Sequence, residues 1–341
     1  MTTGRGAAWA MLAVVGTGTL AGAAEAPTGV TIEVREGREI NFLAGKDLVT
    51  SYHIGPDAAK PYFWPLHAPN GVAVTRAWPM EKPQPGEQTD HVHQKSGWFS
   101  HGDVIPEGIE VKQKIKGIEG VDFWSEGEGH GRIVCVKVGE PEQAKDHARI
   151  VTNNEWRTAD GVKVLDEKRT LSLYVVNGER LLVMQSDLWA DVCPVTFGDT
   201  KEGSFGVRVR TEMTEEKGKG KITNADGKAS EKGEDGCWGR ISAWCDYSGP
   251  LDGKTAGIAL MADPDNPYPS CWHVRGYGLM AANPFGRDKS GFPAVKGKTD
   301  LVKLAKGEHL KLRYGILLHD GDAKEGKTAE CYEQFVKLGK R

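Results

Sequence analysis

The chain has 341 residues, of which 27% are charged and 39% are hydrophobic, a composition typical of a globular protein. Its formal net charge of −3 provides no basic surplus to neutralise phosphates, which argues against nucleic acid as the main partner. The 44 glycines favour many turns and short strands over long helices.

Residues 1–24 have the pattern of a secretory signal peptide. Arg5 supplies a positive charge, the run "AAWAMLAVVGTGTLAGAA" is apolar, and small residues around Ala23 offer cleavage positions. The run is short and interrupted for a membrane anchor, and no later stretch is apolar enough to span a bilayer. We therefore predict export to the periplasm or the extracellular space, with no membrane span after signal removal.

Strand patterns dominate the rest of the chain. "TLSLYVV" (170–176) and "ERLLVMQSDLWA" (179–190) flank Asn177-Gly178, and Asn-Gly between apolar strands is a strong hairpin signal. "SFGVRVRTEM", "GRISAWCDYSG", "TAGIALMAD" and "HLKLRYGILLHDG" have the same character. Strands do not alternate with helical segments, so a parallel sheet is not expected.

Two further segments complete the predicted architecture. The charged, Gly-rich stretch 215–236 predicts a long solvated hairpin or loop. "TAECYEQFVKL", starting at Thr328, spaces Tyr332, Phe335 and Val336 as one face of a helix. We predict an all-β protein: a single large antiparallel β-sandwich domain over residues 30–341 with a short C-terminal helix.

The stretch "TDHVHQKSGWFSHGD" (89–103) concentrates His91, His93 and His101 beside Trp98. On a strand, His91 and His93 would share one face with Cα atoms about 6.5–7 Å apart. Three interpretations stay open: a metal half-site at His91 and His93, an acid–base or substrate-binding site using His93 or His101, or histidines bonded to backbone at a sheet edge.

Two carboxylates are candidate partners for these histidines. Glu202 lies at a turn before a strand, where a carboxylate can face a cleft, and Asp246 lies beside Trp244. The face of an indole packs well against the C–H face of a sugar ring, so Trp98 and Trp244 are candidate sugar-binding residues.

A further candidate surface lies in "NPYPSCWHVRGYGLMAANPFG" (266–286). His273 and Arg275 occupy alternate positions and share a face if the segment is extended. Tyr277 and Asn283 follow, and the prolines and glycines indicate a shaped loop and edge strand. We predict that these four residues bind substrate.

Five motifs, "KPYFWPLHAPNGVAVTRAWP", "DHVHQKSGWFSHGD", "FGDTKEGSFGVRV", "WCDYSG" and "WHVRGYGLMAANPFG", resemble an exported bacterial family called the PmoA family, a domain of unknown function. The resemblance runs from about Lys60 to the C-terminus. The name implies methane oxidation, but the chain has no internal membrane span and its predicted mature N-terminus is not histidine. The β-rich pattern is similar to the sugar-binding supersandwich of the galactose mutarotase type.

The main hypothesis is an exported carbohydrate-active protein such as an epimerase, glycoside hydrolase or lyase, acting on a small-molecule or glycan substrate. His93 or His101 would donate a proton and Glu202 or Asp246 would accept one. The predicted binding residues are Trp98, Trp244, His273, Arg275, Tyr277 and Asn283. The alternatives are a metal-dependent enzyme holding a divalent ion at His91 and His93, and a non-catalytic glycan-binding module.

Overall fold

The structure, a computed structural model, describes residues 1–4 and 29–338. Apart from residues 1–4, the predicted signal peptide lies outside the described residues, so its removal and the export of the protein stay predictions. No helix of the described segments combines the length and the apolar character needed to cross a membrane.

Residues 29–338 form twenty strands and one α-helix. The strands are β1 (Val30–Arg35), β2 (Glu39–Ala44), β3 (Asp47–His53), β4 (Tyr62–Phe63), β5 (Gly97–His101), β6 (Val104–Pro106), β7 (Arg132–Val138), β8 (Glu142–Gln143), β9 (His147–Arg157), β10 (Lys163–Val176), β11 (Glu179–Trp189), β12 (Val195–Phe197), β13 (Gly203–Arg208), β14 (Lys221–Asn224), β15 (Trp244–Leu251), β16 (Lys254–Ala262), β17 (Cys271–Val274), β18 (Leu279–Asn283), β19 (Val302–Leu304) and β20 (His309–Asp320). The helix α1 is Thr328–Leu338.

The strands form two large sheets and one small one. The eight-stranded sheet has the order β1-β2-β3-β4-β5-β13-β18-β17, and the nine-stranded sheet has the order β14-β15-β16-β20-β11-β10-β9-β7, with β8 also pairing with β9. A three-stranded sheet has the order β19-β12-β6. All paired strands are antiparallel, so the predicted all-β antiparallel architecture with a short C-terminal helix is confirmed.

Local sequence chemistry explains several of these elements. Asn177 and Gly178 both have positive φ, 54° and 90°, as a tight hairpin turn between β10 and β11 requires, so the predicted hairpin is confirmed. In α1, Cys331 and Phe335 are buried against the nine-stranded sheet. The predicted loop 215–236 does contain one short strand, β14, which pairs with β15.

The main hydrophobic core lies between the two large sheets. Phe99 and Phe205, which are cross-strand partners on β5 and β13, pack into it from the eight-stranded sheet. Ile150 and Leu173 pack into it from the nine-stranded sheet. Because side chains alternate along a strand, the neighbours of Phe99 and Phe205 lie on the opposite face of the eight-stranded sheet. We call this opposite face the site face.

Candidate functional site

A single row of cross-strand partners crosses the site face. Tyr62 pairs with Trp98, Trp98 with Gly206, Gly206 with Ala281, and Ala281 with His273. Side chains of directly opposed residues lie on the same face, about 4.5–5.5 Å apart at Cβ. The row therefore places large aromatic or imidazole rings at both ends and two very small residues in the middle.

Trp124 lies over the small residues in the middle of this row. Its ring centroid is 4.9 Å from that of Trp98, and a Cβ on Gly206 would come within 3.0 Å of both indoles. Both tryptophans are buried, yet neither indole Nε1 donates a hydrogen bond to the described residues. An indole N–H can donate a hydrogen bond but cannot accept one, so two such groups lie buried side by side without an acceptor among the described residues.

Three further side chains of the site face share this property. Ser100 and Ser204 are cross-strand partners, and both hydroxyls are buried without a hydrogen bond within residues 29–338. His273 is buried with neither ring nitrogen hydrogen-bonded there. Leaving a buried polar group unpaired costs about 1–3 kcal/mol, so a cluster of such groups marks a region where an ordered water or another polar partner is strongly favoured.

His91 and His93 lie in a turn before β5 and not on a strand. The buried guanidinium of Arg76 holds this turn by donating to the backbone carbonyl oxygens of Gln88, Asp90 and His91 at 3.1, 2.8 and 2.7 Å. His91 has a φ of 44°, which explains why the segment leaves the extended conformation. The rings of His91 and His93 meet edge to face, with centroids 5.7 Å apart.

Burial lowers the pKa of His93 to about 3, and the neighbouring Lys60 acts in the same direction. The imidazole is therefore neutral near pH 7. In this form it can make hydrogen bonds, but it carries no extra proton that it could donate as a general acid. The ring of His93 makes no hydrogen bond to another described residue, which leaves it available to a ligand.

Tyr277 lies between the turn that carries His91 and the arginines Arg208 and Arg275. His91 stacks on it with ring centroids 5.2 Å apart and an interplanar angle of 7°. The guanidinium groups of Arg208 and Arg275 lie 4.5 and 5.5 Å from the centre of its ring. Arg275 also forms an ion pair with Glu231 at 2.9 Å. Tyr277 and Arg275 thus lie together, and their binding of substrate stays a prediction.

Glu202 comes from the turn that leads into β13, and it is half-buried. Burial raises the pKa of its carboxyl, and Asp122 acts in the same direction, while Lys201 and Arg275 oppose the shift. Burial raises the pKa of Tyr277, and the negative charge of Glu202 acts in the same direction. A Cβ added at Gly102 would lie 2.9 Å from the Cβ of Glu202, so Glu202 lies beside the end of β5. No hydrogen bond or ion pair connects its carboxylate to residues 29–338.

Sequence reasoning missed a cluster of charged residues beside His93. The ammonium of the buried Lys60 donates to the Trp124 carbonyl at 2.8 Å and lies 3.1 Å from Glu126, and Lys95 lies 2.7 Å from the same carboxylate. Although burial opposes it, these two lysines hold the pKa of Glu126 below its usual range. Lys60 lies in the quoted motif "KPYFWP", but Glu126 follows Trp124 in a Gly-rich loop that no motif marked.

Of the eleven predicted site residues, the structure places seven on or beside the site face: His91, His93, Trp98, Glu202, His273, Arg275 and Tyr277.

Asn283 lies on the same strand as Ala281, but its side chain makes its hydrogen bonds to backbone groups of the protein. Its amide donates to the carbonyl oxygens of Thr200 and Lys201 at 3.0 and 3.1 Å, and its oxygen accepts from the backbone N–H groups of Phe285 and Gly286, both at 2.9 Å. The structure therefore assigns it a positioning role for the Glu202 turn in place of the predicted substrate contact.

His101 lies on the other face of β5. It is buried between Phe197 and Phe285, with ring centroids 5.9 and 4.9 Å away, and its Nε2 lies 2.9 Å from the Gly198 carbonyl oxygen. Burial lowers its pKa to about 4. The sequence could have shown this, because Trp98 and His101 are three residues apart and an odd spacing on one strand places two side chains on opposite faces.

Asp246 and Trp244 lie on β15 in the other large sheet. The carboxylate of Asp246 is fully buried and lies 2.7 Å from His319 Nε2, while Trp244 packs against the cluster that contains α1. These two residues therefore do not join the site face, and the predicted roles for them there do not fit the geometry.

Within residues 1–4 and 29–338, no three His, Cys, Asp or Glu side chains converge as ligands for a metal ion. At the site face, the carboxylate of Asp90 accepts a hydrogen bond from His91 Nδ1 at 2.8 Å, and the His93 ring lies next to that of His91. The described residues thus offer His91 and His93 as a half-site only.

A cleft of about 740 Å³ lies away from the site face, between the β1–β2 end of one large sheet and β7 of the other. Its lining includes Val34, Ile54 and Val136, and none of the predicted site residues. Its lining also includes the carboxylates Glu36 and Glu140 and the basic residues Arg132 and Lys137, so the cleft is polar as well as aliphatic.

Comparison with known families identifies the chain's own family. The model for a family of unknown function, DUF6807, matches residues 39–333, so the chain belongs to that family. The PmoA name stays a prediction. No curated protein matches the sequence.

Several solved structures are similar to this chain. A GH36 alpha-galactosidase from Geobacillus stearothermophilus has a TM-score of 0.46 and 8% identity, over 87% of this chain and 42% of the other. A galactose 1-epimerase from Lactobacillus acidophilus NCFM scores 0.41 with 9% identity, over 86% and 99%. A galactose mutarotase-like protein from Clostridium acetobutylicum scores 0.42 with 9% identity, over 86% and 98%. This chain therefore spans about two fifths of the length of the alpha-galactosidase, and the function has to be argued from the site itself.

Proposed function

We propose that the protein is carbohydrate-active and that the site face binds a sugar. The observation that carries this proposal is the combination of closely packed indole rings with buried hydrogen-bonding groups that lack partners among the described residues. These groups are the indoles of Trp98 and Trp124, the hydroxyls of Ser100 and Ser204, and the imidazole of His273. A sugar supplies both complements, because its C–H face packs on indole and its hydroxyls accept and donate hydrogen bonds.

Glu202 is the proposed acid–base residue. Its raised pKa increases the protonated share near neutral pH, which suits a group that must donate a proton and take it back. His93, neutral at that pH, is the proposed hydrogen-bonding ligand of a sugar hydroxyl. Epimerases, glycoside hydrolases and lyases all require a proton transfer of this kind on a bound sugar, so the proposal extends to this class of reaction.

The test starts from a panel of neutral and acidic mono- and disaccharides, with binding measured by calorimetry and conversion by mass spectrometry. For any sugar that is converted, Glu202→Gln should lower turnover about 10²- to 10⁴-fold while binding persists, the usual range for loss of a general acid–base group. The matched control is Glu128→Gln, an exposed carboxylate in the nearby loop. Unchanged turnover in Glu202→Gln contradicts the assignment. Binding with no conversion identifies a glycan-binding module.

Metal binding at His91 and His93 is the second proposal. The contact between Asp90 and His91 Nδ1 favours it, because metal-bound histidines are commonly oriented by a carboxylate on the other ring nitrogen. Elemental analysis of untagged protein tests it: a stoichiometric divalent metal that is lost in a His91→Ala/His93→Ala double variant supports a metal site. No metal in the wild-type protein, or metal retained in the double variant, rejects it.

A further inference from the structure

Trp189, at the end of β11, is the one aromatic side chain among the exposed large hydrophobic residues of the described chain, with 39% of its surface exposed. It lies on the nine-stranded sheet, away from the site face. Its cross-strand partner is His309, and the two rings stack with centroids 5.3 Å apart and an interplanar angle of 11°. The imidazole thus lies against one face of a partly exposed indole, and we call this stacked pair the ring platform.

Asp187 fixes the orientation of this platform. Its carboxylate lies 2.8 Å from His309 Nδ1, which holds the imidazole parallel to the indole and leaves Nε2 without a described partner. An exposed side chain loses conformational entropy when a ligand fixes it in one geometry. Because the stacking and the Asp187 carboxylate already order the two rings, that loss on binding is smaller.

Two adjoining clefts continue from the platform along the sheet. One, about 470 Å³, contains Asp187 in its wall, and the other, about 510 Å³, contains His309 and Tyr268. Asp265 and Lys311 line both clefts, so the two form one groove. Each volume lies in the range of about 300–1,000 Å³ that small-molecule sites occupy.

The charged side chains that line the first cleft balance. The cations are Lys168, Lys311 and Arg313, and the carboxylates are Asp187, Asp263 and Asp265. Lys168 and Lys311 flank Asp187 on the neighbouring strands, and neither lysine makes a side-chain hydrogen bond or ion pair to residues 29–338. Such a groove gives no net attraction to a polyanion or a polycation, while its free donors and acceptors suit an uncharged ligand rich in hydroxyls.

We propose that this groove, which we call the outer groove, is a second, non-catalytic site that binds a neutral polysaccharide chain. One hexopyranose unit stacks on the exposed part of the Trp189 ring, which His309 supports, and the next units follow the groove, where Lys168, Lys311 and Asp265 bond their hydroxyls. The outer groove lies on a different sheet from Glu202, so it is independent of the function proposed for the site face. It would hold the protein on a polymer while the site face acts on a single sugar.

The test is affinity electrophoresis of the full-length protein in native gels containing galactomannan, xyloglucan or mixed-linkage β-glucan. Retardation on at least one gel is expected. Trp189→Ala should weaken binding about tenfold or more, since losing a stacked ring removes favourable contact worth about a factor of ten in affinity. Trp189→Phe should keep most of the binding, because it keeps a stacking ring.

Val175→Ala is the matched control, an exposed apolar residue on the same sheet that lies outside the outer groove, and it should bind like the wild type. Glu202→Gln should also keep its retardation, which separates this site from the site face. Circular dichroism and the thermal midpoint establish that Trp189→Ala is folded. The proposal is wrong if no neutral polysaccharide retards the protein, if folded Trp189→Ala is retarded like the wild type, or if only sulfated dextran retards it.

Discussion

Asn283→Ala tests whether the turn that carries Glu202 is held by one buried amide. Asn283 is 1% exposed and makes four hydrogen bonds to backbone groups: two to the turn at residues 200–201 and two to the segment at residues 285–286. Its side chain thus ties together two segments that are far apart in sequence.

The expected cost follows from the groups that the change leaves unpaired. Truncation removes the acceptor of two buried N–H groups, on Phe285 and Gly286, and each unpaired buried donor costs about 1–3 kcal/mol. The carbonyl oxygens of the turn tolerate the loss better, since each has a second lone pair for water. We therefore expect the free energy of unfolding to fall by about 2–5 kcal/mol.

Urea denaturation measures this loss, and hydrogen exchange of the Glu202 amide reports the turn directly. The amide of Glu202 bonds to the Thr200 hydroxyl at 3.1 Å, so it should exchange faster once the turn loosens. Asn153→Ala is the control, because Asn153 is exposed on β9 and its change should stay within about 0.5 kcal/mol. A loss below about 1 kcal/mol with unchanged exchange at Glu202 would refute the positioning role.

Two further predictions concern stability. Because burial raises the pKa of Glu202 in the folded state, its contribution to stability is present at low pH and is lost as pH rises through that pKa. Glu202→Gln should therefore be more stable than the wild type at pH 7. Denaturation curves measured in parallel should show this gain shrinking towards pH 4. Glu167→Ala should cost about 3–5 kcal/mol in urea denaturation, because it leaves the buried Arg169 without its carboxylate, whereas Glu142→Ala, which breaks an exposed pair with Arg149, should cost at most about 1 kcal/mol. Equal losses in the last two variants would contradict this reasoning.

The strands were predictable because their information is local. The alternation on either side of Asn177-Gly178 and the positive φ that those two residues tolerate determine the β10–β11 hairpin without any distant contact. The apolar spacing after Thr328 likewise predicts α1. The order of strands in the sheets was not predictable, because the pairing of β5 with β13 joins segments about a hundred residues apart.

The site was only partly predictable for the same reason. The interpretation of His91 and His93 as strand neighbours was wrong, since their turn depends on the distant guanidinium groups of Arg76 and Arg208. Arg208 forms an ion pair with Asp90 at 2.7 Å, a contact that no spacing within 89–103 could show. Lys60 and Glu126 were missed because a pair joined across the fold has no sequence pattern.

The sheet register connects the stability of the core to the geometry of the site. Phe99 and Phe205 are cross-strand partners in the core, so their pairing also sets Trp98 opposite Gly206 and Ser100 opposite Ser204 on the site face. A shift by one residue would expose the core phenylalanines and is therefore strongly opposed. The energy that selects the register is hydrophobic and comes from one face, while the unpaired polar groups on the other face are held in place at a cost to stability. The site face can thus keep hydrogen-bonding groups free for a ligand because the core on the opposite face determines where they lie.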